Sequence, residues 1–203
     1  MKLAVFNGSP RRTNSNSTLL ITQFLNGYYG NNTYYSDIHY LAETTKNEEH
    51  TKAFEIADNV IVIFPLYTDA MPGQVKLFFE NIAQIKAVGK RVGFIVQSGF
   101  PEAYHSVFVQ RYLEKLAKTC QWNYLGTVIR GGVEGIQMFP KPIQKRLFHH
   151  FYCLGKVFCE SGKLDKKIIV KLAQPYRFGF LRRNFFKMMI KTGLANFYWK
   201  MKL

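Results

Sequence analysis

The stretch Asn59-Val60-Ile61-Val62-Ile63-Phe64 constrains the fold of this chain more than any other. It is β-branched almost throughout and carries no polar alternation, so it has to be buried on both faces. A strand covered on both sides belongs in a parallel sheet, and parallel neighbours need long crossovers, usually helices. The rest of the sequence supplies them. Met1 to Phe6 and Arg91 to Val96 are further apolar runs, Tyr34 to Leu41 alternates as a strand, and Tyr124 to Ile129 reads as another. Helical patterns lie between them. One face of Leu19, Leu20, Ile21, Phe24 and Leu25 ends near Gly27, and others span Lys46 to Ala57, Gly73 to Ile85, Ala103 to Cys120 and Ile143 to Cys159. The expected fold class is α/β, a five-stranded parallel sheet with helices on both faces.

In such a sheet ligands bind beyond the carboxyl ends of the strands, where the strand order reverses. The loop after the first strand, Asn7-Gly8-Ser9-Pro10-Arg11-Arg12-Thr13-Asn14-Ser15-Asn16-Ser17, is small, rich in hydroxyls and amides, and leads into a helix. That is how a chain builds an anion socket: short donors surround the anion and a helix N-terminus adds its positive end. The Walker pattern is excluded because no lysine closes the loop, and the dinucleotide fingerprint because only Gly8 is present. A terminal phosphate monoester suits it, with Ser9, Arg11, Asn14, Ser15, Asn16 and Ser17 as candidate contacts. The plain alternative is a polar turn ending in a helix cap, a common use of Ser and Asn.

Two more loops are chemically distinctive. Pro65-Leu66-Tyr67-Thr68-Asp69-Ala70-Met71-Pro72-Gly73 is stiffened by two prolines and offers the flat face of Tyr67. In Gln97-Ser98-Gly99-Phe100-Pro101-Glu102-Ala103-Tyr104-His105, small residues permit close approach of a ring edge and Phe100 or Tyr104 can wall it. Glu102 reads equally as a carboxylate at a helix N-terminus and as a functional group, and His105 as a solvated first-turn histidine, with proton donation to an acceptor as its alternative. A fourth loop, Arg130-Gly131-Gly132-Val133-Glu134-Gly135, either admits a second ligand or simply turns the chain. His149 and His150 are adjacent on a helix and face different ways, so no metal pair is expected there.

The residues Gly8-Ser9-Pro10-Arg11 with Ser15-Asn16-Ser17 resemble the FMN phosphate loop of the flavodoxin-like NAD(P)H-dependent FMN reductase and quinone reductase superfamily. The second loop resembles that superfamily's P-x-Y…P-G…K segment, with Lys76 and Glu80 following on the helix. The resemblance covers roughly Met1 to Cys159. It implies a flavodoxin-like sheet, FMN as cofactor, and a ring touched by Pro65, Leu66, Tyr67, Thr68, Asp69, Ala70 and Met71 on one side and Ser98, Gly99 and Phe100 on the other. It further implies hydride transfer from NADPH or NADH to a quinone, nitro, azo or flavin acceptor, a homodimer, and no catalytic side chain, since the cofactor carries the chemistry. The cysteine clusters of the related iron–sulfur flavoproteins do not occur. Two other readings stand beside it: a flavodoxin-type electron carrier, which the scarcity of acids in the loops disfavours, and a flavin-free scaffold on a membrane surface.

Composition bears on the partners. With 47% apolar and 20% charged residues the chain is globular rather than disordered. Its start is too short for a secretory core and its odd cysteines (Cys120, Cys153, Cys159) lack CxxC spacing, so a cytoplasmic protein with reduced thiols is expected. The net charge of +15 is unusual, and from Lys163 onward eleven cations face Asp165 alone. Residues 163–203 therefore read as a basic, aromatic helical extension to a domain at 1–162. Such a segment can lie on an anionic membrane, pack on the domain, cover the flavin pocket or swap across a dimer. Nucleic acid is not expected, because the charge comes without a reading motif.

Overall fold

The computed structural model describes residues 2–30 and 38–191. Five strands form one wholly parallel sheet: β1 (Leu3–Asn7), β2 (Ile38–Tyr40), β3 (Asn59–Leu66), β4 (Arg91–Ser98) and β5 (Asn123–Arg130). Among the described residues seven α-helices accompany them: α1 (Asn16–Tyr29), α2 (Asn47–Ile56), α3 (Gly73–Ala83), α4 (Val107–Thr119), α5 (Lys141–Ser161), α6 (Lys166–Leu172) and α7 (Phe180–Lys191).

The double burial required by the β3 sequence is met by two core layers, and successive residues of each strand serve them alternately. Val60, Val62, Phe64 and Leu66 meet Phe54 of α2, Val75 and Phe78 of α3 and Leu113 of α4. Ile61 and Ile63 meet Leu20, Ile21 and Phe24 of α1 and Phe151, Leu154 and Phe158 of α5. Each fully buried Phe or Ile contributes on the order of 1.5–3 kcal/mol of transfer free energy.

The strand order is β2-β1-β3-β4-β5. From β1 the chain steps outward to β2 and then back past β1 to β3, so the order reverses between β1 and β3. Crossovers leave that point toward opposite faces, which opens a crevice at the carboxyl ends of the two strands. The loops after β1 and β3 therefore face each other across it.

Two differences from the sequence-based expectation have physical reasons. First, β3 and β4 run on to Leu66 and Ser98, pairing Pro65 with Gln97 and Leu66 with Ser98. Proline is tolerated there because β1 has already ended: its last register pair is Asn7 with Ile63, so the missing N–H faces no strand on that side. Second, α1 does not stop at Gly27. It continues to Tyr29 and is capped by Gly30 at φ 63°; Gly27 is instead a packing position against α5. Of the outcomes open to residues 163–203, residues 164–172 show packing on the domain, since Leu164 and Leu172 are buried in the α1/α5 layer. Residues 34–37 of the expected second strand lie outside the described residues, as do residues 192–203 of the tail. Among the described residues, no helix is long and apolar enough to cross a membrane.

Candidate functional site

The loop after β1 is organised by the buried amide of Asn7. Its Oδ1 accepts from the Ser9 N–H at 2.9 Å and its Nδ2 donates to Thr18 Oγ1 at 3.0 Å, so the loop is pinned at both ends. Thr18 Oγ1 donates onward to the Arg12 carbonyl at 2.8 Å. Ser15 caps α1, its Oγ accepting from the Thr18 N–H at 3.1 Å. The N–H groups of Asn16 and Ser17, in the first turn, have no acceptor within the helix and lie at the positive end of its dipole. Gly8 lets the loop press on α3: a Cβ there would stand 2.1 Å from Val75 Cγ2.

The side chains of this loop reach outward to its neighbours. Asn16 Nδ2 donates to the carbonyls of Val133 at 2.9 Å and Glu134 at 3.3 Å, and Gln97 Nε2 donates to Ser17 Oγ at 3.4 Å. Arg11 of the first loop forms an ion pair with Glu134 of the loop after β5 at 3.2 Å. Partial burial alone would loosen the proton of this guanidinium, but Glu134 and the neighbouring Tyr67 hydroxyl outweigh it and hold the pKa above the ordinary arginine value. Ser9, Ser15, Asn16 and Ser17 are buried; Arg11 and Asn14 are exposed, Asn14 closing a short 3-10 turn.

After β3 the chain makes a tight reverse turn. Tyr67 and Ala70 exchange both backbone bonds, at 2.9 and 3.0 Å, while Thr68 and Asp69 take φ values of 49° and 61°. Two successive left-handed residues are the mark of a type I′ turn, here without the usual glycine or asparagine. Tyr67 to Ala70 are exposed, and Met71 is half-buried against the α2–α4 layer. Lys76 and Glu80 pair with each other along the outside of α3.

The loop after β4 is zipped to the loop after β5. Val133 donates its N–H to the Ser98 carbonyl at 2.9 Å and Gly132 to the Phe100 carbonyl at 2.8 Å, while Ser98 Oγ donates to the same Phe100 carbonyl at 3.1 Å. Gly131 is needed for this approach, because a Cβ would fall 2.5 Å from the Phe100 carbonyl oxygen. The Phe100 ring is exposed and stacks on His105, with centroids 4.7 Å apart at 24°. His105 lies 3.8 Å from an Asp69 carboxylate oxygen and 3.9 Å from one of Glu102, which links this loop to the turn after β3.

The first three loops singled out in the sequence thus stand at one end of the sheet, knitted through the fourth. Asn7, Thr18, Gln97 and Glu134 were not among the predicted contacts. Asn7 had a signal, a polar amide closing an otherwise apolar strand. Glu134 had none, since it meets Arg11 across 123 positions of sequence. Among the described residues no group of three or more His, Cys, Asp or Glu side chains is placed to hold a metal. A shallow cavity of about 680 Å³ lined by Asp58, Lys86 and Arg91 lies at the amino ends of β3 and β4, remote from these loops.

The sequence profile of a family described by its flavodoxin-like fold matches residues 1–147, which include every strand and loop just described. The chain belongs to this flavodoxin-like family. Among solved structures, this flavodoxin-like protein is similar to an NADPH-quinone reductase from P. pentosaceus, with 19% identity and a TM-score of 0.57 over 75% of this chain and 96% of that one. It is similar to general stress protein 14 from Treponema denticola in complex with FMN, at 17% identity and TM-score 0.60 over 77% and 99%. An FMN-dependent NADH-azoreductase from Bacillus anthracis, also in complex with FMN, shares 15% identity with TM-score 0.58 over 78% and 100%. At these identities the likeness carries the fold. A comparison with curated proteins finds no match.

Proposed function

We propose that this flavodoxin-like protein is an FMN-dependent NAD(P)H oxidoreductase that reduces a small electron acceptor of the quinone, nitro, azo or flavin kind. The observation that carries the reading is the juxtaposition, at the switch point of the sheet, of a capped helix N-terminus with the exposed left-handed turn Tyr67–Ala70. The residues fit the cofactor. The first-turn N–H groups of Asn16 and Ser17 and the hydroxyl-rich loop at residues 9–15 suit a phosphate monoester. A turn whose backbone is exposed suits the polar edge of a flat ring, and the Tyr67 and Phe100 rings suit its faces. The likeness to an NADPH-quinone reductase, an FMN-dependent NADH-azoreductase and a stress protein in complex with FMN supports the same reading.

FMN, when bound, supplies the capacity to take a hydride from a nicotinamide and pass electrons to the acceptor. The protein's share is binding and placement. Ser15 and Asn7 fix the phosphate loop; Asn16 and Gln97 tie α1 to the loops after β5 and β4. Arg11, paired with Glu134 and beside Tyr67, stands between the phosphate loop and the ring slot as a positive charge for whichever anion arrives.

The decisive experiment is purification followed by mass identification of any released chromophore, then NADH and NADPH oxidation with and without a quinone. FMN in about one-to-one ratio and quinone-stimulated oxidation are expected. Ser17→Glu, which sets a carboxylate in the first helical turn where a phosphate is proposed, should weaken FMN binding by about tenfold or more, the scale of a single close charge of about 1.4 kcal/mol. A colourless protein that takes up no FMN would end the proposal.

A further inference from the structure

We propose that α7, with the strap of chain that leads into it, is a docking element for the anionic surface of a lipid bilayer. The strap is firmly held. Arg130 donates to the carbonyls of Leu172 and Gln174 at 3.3 and 3.1 Å, and the N–H groups of Ala103 and Tyr104 donate to the carbonyls of Pro175 and Tyr176 at 3.0 and 3.1 Å. Phe178 donates its N–H to Glu102 Oε1 at 2.6 Å, and the Arg177 guanidinium lies 3.4 Å from the centre of the Tyr104 ring. Glu102, read from sequence as a helix N-terminal carboxylate or a functional group, is thus the clasp of the strap. The strap crosses the start of α4 and delivers α7 to the end of the molecule that carries the loop after β4.

What α7 presents there is apolar and cationic together. Phe180 is 68% exposed, Leu181 82% and Met188 54%, and Arg182 and Arg183 beside them are exposed as well. The sequence spaces Leu181, Phe185, Met188 and Met189 as one helical stripe and Arg183, Lys187 and Lys191 as another. Apolar side chains as exposed as Phe180 and Leu181 call for an occupant, and the charge selects it: from Lys163 to Lys191 nine cations stand against Asp165 alone. A second copy would bring the same positive field and be repelled. Duplex nucleic acid would satisfy the cations and leave Leu181 and Met188 in water. A bilayer with anionic lipid takes both, apolar side chains into the acyl boundary and cations among the headgroups. Twelve residues of helix measure about 18 Å, too short to span a hydrocarbon core of about 30 Å but suited to lying in its plane. Each basic residue near such a surface raises partitioning by about fivefold. The proposal does not depend on the cofactor.

The test is co-sedimentation of the full chain with phosphatidylcholine vesicles, with and without phosphatidylglycerol, at low and high salt. Binding should be at least about tenfold stronger with phosphatidylglycerol and should fade as salt rises from about 0.1 to 1 M. Arg182→Glu with Arg183→Glu should lower it by about 25-fold or more, from the fivefold factor per residue. Leu181→Asp with Met188→Asp should lower it comparably in protein that remains folded by circular dichroism. The idea is overturned by absent binding, by equal binding to neutral vesicles, or by both double variants binding as the parent does. A fall in oligomer mass in Leu181→Asp with Met188→Asp would assign the stripe to a second copy. Duplex DNA binding tighter than vesicle binding and indifferent to that variant would assign the cations to nucleic acid. Either result would also overturn it.

Discussion

Thr68 and Asp69 depart from local backbone preference at two successive positions. Left-handed backbone costs an L-residue roughly 1–2 kcal/mol, and a β-branched side chain makes it worse. Their φ values of 49° and 61° place two such residues in succession, in an exposed turn closed by the Tyr67–Ala70 bonds. Strain of this kind persists where the surroundings over-determine it, often at ligand clamps. Thr68→Gly should therefore raise the melting temperature, by up to about 2–4 °C if about 1 kcal/mol is released, and should also speed loss of bound FMN. Differential scanning fluorimetry and flavin release rates check the two arms, and an unchanged or lower melting temperature would remove the strain from the account. The position of the turn was legible from Pro65 and Pro72 flanking it. Its handedness was not, because neither central residue is the glycine or asparagine that normally signals positive φ.

At the scale of elements, the closest joint is the crossing of α1 and α5. Gly27 and Gly155 are both interior helix residues, where glycine costs about 0.5–1 kcal/mol relative to alanine, so something must offset them. A Cβ on Gly27 would stand 1.9 Å from the Tyr152 carbonyl oxygen, and one on Gly155 would stand 1.8 Å from that of Phe24. The backbones touch, and only glycine permits it. Gly155→Ala should therefore destabilise by an amount at or beyond the upper end of about 1–3 kcal/mol. Gly73→Ala, at the open start of α3 with no atom within 4 Å of the added carbon, should be neutral or stabilising by about 0.4–1 kcal/mol. Urea denaturation of the pair decides it, and equal effects would refute the contact argument. The same joint shows the limit of reading elements from sequence. Periodicity located both helices and the sheet they cover, because a parallel sheet writes its double burial into runs such as Val60 to Phe64. It also marked Gly27 as a helix end, since a glycine that stops a helix and one that admits a neighbour look alike until the neighbour is known. Packing on the domain was one outcome open to the basic segment, but its lysine-rich pattern did not single out Leu164 and Leu172 as the residues that dock.

Over the whole molecule, charge is distributed far less evenly than apolar surface. The two core layers are complete around the sheet, whereas most of the +15 lies beyond residue 162. A field of that size attracts any anion arriving at the loop end, where Arg11 and Arg12 are also exposed. For the NAD(P)H oxidoreductase proposed above, the two candidate donors differ in charge by the additional phosphate of NADPH, so steering should act more on NADPH than on NADH. With a Debye length near 10 Å at 0.1 M salt and about 3 Å at 1 M, raising ionic strength over that range should lower kcat/KM for NADPH by about tenfold or more. The value for NADH should fall less, so the preference between donors narrows with salt. Stopped-flow reduction of the holoprotein by each donor across the salt series reads this directly. Values that do not change with salt for either donor would show that the excess charge does not guide the donor, and would leave the surface around α7 as the place where it acts.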